Sequence, residues 1–295
     1  MKSVDVLPIE DPNTGLNFFL NGDADLMMDK GMIPNTVVDQ LQGEPWFHTA
    51  PFLGTYFTRF NCEEGPFTDP RVRRAFAMAI DKKRITEKIT KLGEVVADGF
   101  VPPGAGQGYE SPAGLPYDVE KARALMKDAG YEGGAGFPLI RYLYINKPIE
   151  THIAVELQNM WKDALGVTVA LHKQEQKVWL TSMKQLDYDL CRSSWVGDYN
   201  DPNTFLDMFV TGGGNNRTGW SSADYDGYIA AAAAEPDPAK RNAIFQKAES
   251  LLVAEEAAVL PIYYYVGVQF YHPEKLGGVQ TNLLDEHPFR AMFWK

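Results

Sequence analysis

Cysteine is scarce in this chain, with Cys62 and Cys191 the only two among 295 residues. Two thiols allow at most one internal bond, and they lack the close pairing of a zinc or redox motif. No stretch approaches the roughly 20 apolar residues needed to span a bilayer, so direct membrane insertion is not expected. The start does not read as an export signal either, because Asp5, Glu10 and Asp11 interrupt any apolar run. A targeting segment of an exported parent protein would therefore lie outside this sequence. Basic clusters are also missing: 28 Lys and Arg stand against 39 Asp and Glu, for a formal net charge of -11. Without a basic face to gather phosphates, nucleic acid is excluded as a partner, and anionic lipid is disfavoured.

Catalytic signatures are absent too. The histidines His48, His152, His172, His272 and His287 show no HxH, HxxxH or HExxH spacing, so they predict no metal site. The Gly212-Gly213-Gly214 run has no phosphate-loop lysine or GxGxxG context and reads as a loop. No GxSxG elbow occurs, and neither cysteine has a catalytic context. The chain is read as a binder with no enzymatic activity and no cofactor.

What is present is a core: 45% of residues are hydrophobic and 12% aromatic, enough for one large or two modest domains. Apolar runs alternate with helical patterns, which predicts an α/β fold. Asp69-Pro70, Asp118 and Asp237-Pro238 carry helix-start signals, the last opening a helix that reaches about Glu256. A long amphipathic helix is expected from Ile149 to Leu165, and others over Gln176–Leu186 and Tyr225–Ala234. Strands are expected over Leu139–Ile145, Val167–Leu171, Tyr188–Trp195 and Val259–Tyr271, and a loop over Phe205–Gly219.

The most informative segment runs from Arg192 through Trp195, Asp198 and Tyr199 to Phe205. It leaves an apolar strand and turns to loop chemistry at Gly197. While the strand lasts, Arg192, Ser194 and Val196 share a face that Asp198 would continue. Opposite charges then flank a groove no longer than about 20 Å, which suits a zwitterion. Trp195 and Tyr199 supply broad apolar contact. The same residues equally allow an Arg192–Asp198 surface pair beside a packed Trp195.

Taken together, several stretches resemble the family-5 extracellular solute-binding proteins, the oligopeptide- and dipeptide-binding group. They are Phe60-Asn61, Pro66 to Ala75 with Ala79-Ile80-Asp81, Pro102-Pro103, Tyr117 to Ala122 and Ala129-Gly130-Tyr131. Leu157 to Lys162, Leu165-Gly166-Val167, Trp195 to Phe205 and Val259 to Tyr265 follow in order, so the resemblance covers roughly residues 15–290. It implies a class II periplasmic-binding-protein-like lobe with a mixed sheet and flanking helices, seen here as a C-terminal half with an incomplete first lobe. Residues 1–56 would be a crossing segment and strands of lobe I, 57–265 the ligand-binding lobe II, and 266–295 a return to lobe I. It further implies that Asp198 holds a peptide α-ammonium, that Arg192 meets a peptide carboxylate, and that Trp195 and Tyr199 line the site. Partners would be short peptides and the permease of an ABC transporter, at the periplasmic or extracellular face of a bacterial inner membrane.

Two departures from the family pattern stand out. Neither Cys62 nor Cys191 sits where the family sometimes carries a disulfide, so no bond is predicted. A basic side chain often precedes the helix over 149–165, whereas Glu150 and His152 stand here. Other cargo for the same fold (nickel complexes, haem, glutathione or sugars) and a ligand-sensing domain of a regulator are the alternative readings.

Overall fold

Aspartates start four of the longer helices by answering backbone N–H groups that have no helical partner. Asp69 accepts from Arg71 N ahead of the helix Pro70–Met78, and Asp118 from Lys121 N ahead of Val119–Asp128. Asp237 accepts from both Ala239 N and Lys240 N ahead of Pro238–Ser250, whose last turn widens over Leu251–Glu255. The same Asp-Pro signal opens a helix over Pro12–Asn21, capped by Asp11. This helix lies within residues 1–56, expected to be a crossing segment and strands. Further helices cover Pro148–Leu165, Gln176–Lys184 and Ala223–Ala234. The stretch expected to be a loop from Phe205 starts inside a short helix, Asn203–Leu206.

The computed structural model describes residues 3–29, 31, 33, 34 and 36–295. Its strands are β1 (Leu26–Met27), β2 (Phe47–Phe60), β3 (Val95–Val96), β4 (Ile140–Ile145), β5 (Val169–Gln174), β6 (Leu190–Val196), β7 (Val259–Tyr271), β8 (Leu276–Gly277) and β9 (Phe293–Trp294). Seven of them form one mixed sheet in the order β1-β7-β2-β6-β4-β5, with β3 also on β7. The strands β5, β4 and β6 run parallel, whereas β2 is antiparallel to both β6 and β7. Helices fill the crossovers from β4 to β5 and from β5 to β6, as parallel pairing requires.

The two long strands β2 and β7 pair in two stretches. Thr55–Arg59 pairs with Val259–Tyr264 and Phe47–Pro51 with Val266–Phe270, with a register break between Pro51 and Thr55. Within that break Leu53 N turns away from the ladder to donate to Leu283 O at 2.7 Å. Gly54 is required there: a Cβ at this position would lie 2.7 Å from the Tyr265 ring.

Side chains alternate across the sheet into separate cores. Tyr56, Phe60, Tyr142 and Leu190 face Phe76, Leu157 and Trp161 from the helices on one side. On the other, Leu53, Phe57 and Val259 meet Phe100, Phe205, Tyr225 and Phe245. A smaller cluster of Leu16, Phe19, Val38, Leu41, Val266, Val268 and Phe270 gathers around the outer half of β7. Replacing a buried aromatic such as Trp161 by Ala typically costs about 3–5 kcal/mol. Cys62 and Cys191 are both free thiols, and burial raises them to about 11 and about 12 respectively.

Candidate functional site

Strand β6 carries Arg192 onto the face of the sheet that also bears Tyr56 and Tyr265. The helix Pro148–Leu165 begins beside it with proline in its first turn and Glu150 behind. A carboxylate in the first turn is favoured by the unpaired N–H groups at a helix start. Here it reaches further: Glu150 Oε1 lies 2.6 Å from Arg192 Nη2, with only 5% and 11% of the two side chains exposed. Tyr56 Oη donates to Glu150 Oε2 at 2.6 Å, and the Tyr56 ring lies 4.9 Å from the guanidinium. Arg192 also donates to Ser194 Oγ at 3.1 Å and to Tyr265 Oη at 3.4 Å.

Burial alone pulls a guanidinium pKa down. The Glu150 charge, with the hydroxyls of Tyr265 and Tyr56, outweighs it, and Arg192 is held well above its ordinary range. Burial and then the Glu150 charge push the Tyr56 hydroxyl far up. The cluster is therefore a charge-neutral, hydrogen-bonded unit. An Arg192–Asp198 surface pair does not form, because Glu150 holds the guanidinium within the sheet face.

Beyond Val196 the chain leaves the ladder. Gly197 N donates to Leu53 O at 2.8 Å, and a Cβ on Gly197 would come within 2.8 Å of the Leu53 side chain. A larger residue would have to shift the Leu53, Thr204 or Phe205 side chain at this exit. Asp198 N then donates to Thr204 Oγ1 at 3.1 Å. The Asp198 carboxylate is exposed and makes no hydrogen bond or ion pair to any described residue. Near it, Asp207 has its pKa raised by burial and then by the Asp198 charge. Asn203 Nδ2 donates to both Tyr199 Oη and Asp207 Oδ2, at 2.9 and 3.1 Å. The turn is fastened from outside by Arg241, whose two Nη atoms lie 2.7 and 2.8 Å from the Asp201 carboxylate.

Of the four expected site residues, Asp198 and Tyr199 stand together on this open turn, Tyr199 being 45% exposed. Arg192 lies back in the sheet with Glu150. Trp195 points to the opposite side of β6 from Arg192, half-buried against the Leu53–Phe205 core, its Nε1 buried without a hydrogen-bond partner. Tyr56 and Tyr265, which complete the cluster, were not expected. The alternation of Tyr263 and Tyr265 along a predicted strand was the available signal. Among the described residues no three His, Cys, Asp or Glu side chains stand together as a metal site, and no helix is long and apolar enough to cross a membrane.

The fold is that of the periplasmic binding proteins. It superposes with a TM-score of 0.87 on the murein tripeptide binding protein MppA of Escherichia coli, at 33% identity, covering 98% of this chain and 57% of that one. It superposes at 0.83 on Listeria monocytogenes OppA bound to peptide, at 27% identity, covering 97% and 57%. Residues 1–217 match the family of bacterial extracellular solute-binding proteins, family 5 Middle, and the chain belongs to that family. Curated relatives include the dipeptide-binding protein DppE of Bacillus subtilis, 34% identical over 92% of this chain and 50% of its own length. The probable deoxycholate-binding periplasmic protein YgiS of Escherichia coli is 31% identical over 92% and 51%. The chain thus spans about half the length of the curated relatives it matches.

Proposed function

We propose that this chain is the ligand-gripping part of an extracytoplasmic peptide-binding protein that serves an ABC importer. It binds short peptides and hands them to a membrane permease at the outer face of a bacterial inner membrane. The observation that carries this reading is the unpaired Asp198 carboxylate on a turn fastened at both ends. An ammonium needs such a counter-charge, and a rigid turn presents it without ordering cost. Relatives named for peptides support the cargo class. The protein acts by binding and release, with no chemical step of its own.

In this reading residues 57–265 form lobe II, while 1–56 and 266–295 belong to lobe I. The register break in β2 between Pro51 and Thr55, and the separate core around the outer half of β7, support that division. Bending at 52–54 would let the lobes close on a ligand.

Calorimetric titration of the full-length protein with a pool of short peptides, beside the same pool N-acetylated, tests the proposal. Binding of the free-amine pool alone is expected. Equal binding of both pools would remove Asp198 as the anchor, and silence from both would remove the peptide reading. A relative named for deoxycholate favours non-peptide cargo as the second reading.

A further inference from the structure

The pairing of Arg192 with Glu150 bears on which ligands the site accepts, an inference that rests on the peptide reading above. Arg192 occupies the position from which the guanidinium of a peptide-binding relative is expected to meet a carboxylate. In this chain a resident carboxylate is already there. Glu150 Oε1 lies 2.6 Å from Arg192 Nη2, its other oxygen accepts from Tyr56 Oη at 2.6 Å, and 5% of its side chain is exposed. Arg192 also donates to Ser194 Oγ and Tyr265 Oη, and its Nε is buried without a partner.

A ligand carboxylate arriving at Arg192 would have to displace Glu150 or sit beside it. Displacement leaves a buried carboxylate with one tyrosine hydroxyl, and juxtaposition brings two like charges into a poorly solvated space. Either cost offsets what the guanidinium would offer, so a free carboxylate gains nothing there over a neutral terminus.

We propose that Glu150 is a specificity-determining residue: by occupying Arg192 it closes that position to ligand carboxylates. The site then grips its peptide by the amine at Asp198 and is indifferent to a free C-terminus beside Arg192. Cargo of this kind is a peptide whose carboxylate lies further out, or one whose C-terminus is blocked.

The test compares each short peptide as its free acid and as its C-terminal amide, titrated into full-length wild type and Glu150→Gln. Glutamine keeps one acceptor oxygen for Arg192 while removing the charge, and its amide N–H can donate to the Tyr56 hydroxyl oxygen. Wild type is expected to bind acid and amide within about threefold. In Glu150→Gln the acid should be favoured by about tenfold or more, as expected for a newly available charge pair. A wild type that already favours the acid about tenfold, with the ratio unmoved in the variant, would overturn the inference.

Should Glu150→Gln fold poorly, the double variant Glu150→Gln/Arg192→Gln decides. Its acid-to-amide ratio should match that of wild type. A drop in that ratio would show that Arg192 reads the ligand carboxylate after all. An arm without peptide separates this inference from the peptide reading. Acetate, against chloride at equal ionic strength, should raise the melting temperature of Glu150→Gln and leave wild type unmoved. If no peptide binds any form, the peptide reading falls while the acetate arm still decides Glu150. An equal acetate response in both proteins would overturn it.

Discussion

Arg192 and Asp198 stand six positions apart on one segment, and the fold treats them in opposite ways. Around Arg192, one carboxylate, two hydroxyls and an aromatic face converge on a guanidinium that is almost fully enclosed. Around Asp198 the backbone is tied down and the side chain is left in solvent. The difference lies in what each end of β6 abuts. The strand itself lies against the start of the helix Pro148–Leu165, which delivers a counter-charge, whereas the exit at Gly197 meets only backbone and apolar groups. A charge whose needs are met internally contributes to structure; one whose needs are unmet is available to a ligand.

The most damaging way to break this contrast is to remove one member of the enclosed pair. Glu150→Ala strands a buried guanidinium and should cost about 3–5 kcal/mol, whereas replacing both Glu150 and Arg192 by apolar residues of similar size should recover most of that loss. Urea unfolding of the two variants measures it, and equal losses would mean the pair is not acting as a unit. Next comes Asp198→Ala, which is expected to weaken free-amine peptides by about 2–5 kcal/mol and so at least tenfold. Its unfolding free energy should stay within about 0.5 kcal/mol of wild type, as for an exposed side chain without partners. A stability loss of the Glu150→Ala size would place Asp198 in the structural class instead.

Lys82 sharpens the comparison because it is a buried cation with no carboxylate bonded to it. Its Nζ donates to Ala97 O at 2.8 Å, and burial lowers its pKa from 10.5 to about 8. The unfolded chain therefore binds more protons than the native state between those values. Stability from this group is full above about 10.5 and is lost as pH falls through about 8. Lys82→Met should remove that pH dependence and stabilise the protein near neutrality by about 2–3 kcal/mol. Identical pH profiles for the two proteins would contradict it. The smallest effect belongs to Arg241→Ala, which unfastens Asp201 at the half-exposed edge of the turn. About 0.5–1 kcal/mol of stability is expected to go, with peptide affinity falling through a looser Asp198. Unchanged affinity would mean the turn holds its shape without the clamp.

Local signals were the legible ones. Asp69, Asp118 and Asp237 mark helix starts because capping is decided within three residues, and strand β7 matches its expected span, Val259–Tyr271. Strand β2 escaped because Pro51 and Gly54 interrupt it, and its extended form is dictated by partners on both sides, β6 and β7. In the site, the segment around Asp198 stood out by its own composition. The Arg192 environment did not, since Glu150, Tyr56 and Tyr265 lie 42, 136 and 73 positions away in sequence. No spacing rule connects residues that only a sheet brings together. Glu150 was visible as a departure from the family pattern, but the structure was needed to show which charge it answers.

The two thiols carry a practical consequence. With Cys62 raised to about 11 and Cys191 to about 12, nucleophilic thiolate is vanishingly rare at neutral pH. Maleimides should therefore pass both by while the protein is folded. A cysteine placed at exposed Tyr199 would be the one reactive handle, so a single fluorophore could be installed on the turn that carries Asp198 without first stripping the native sulfurs.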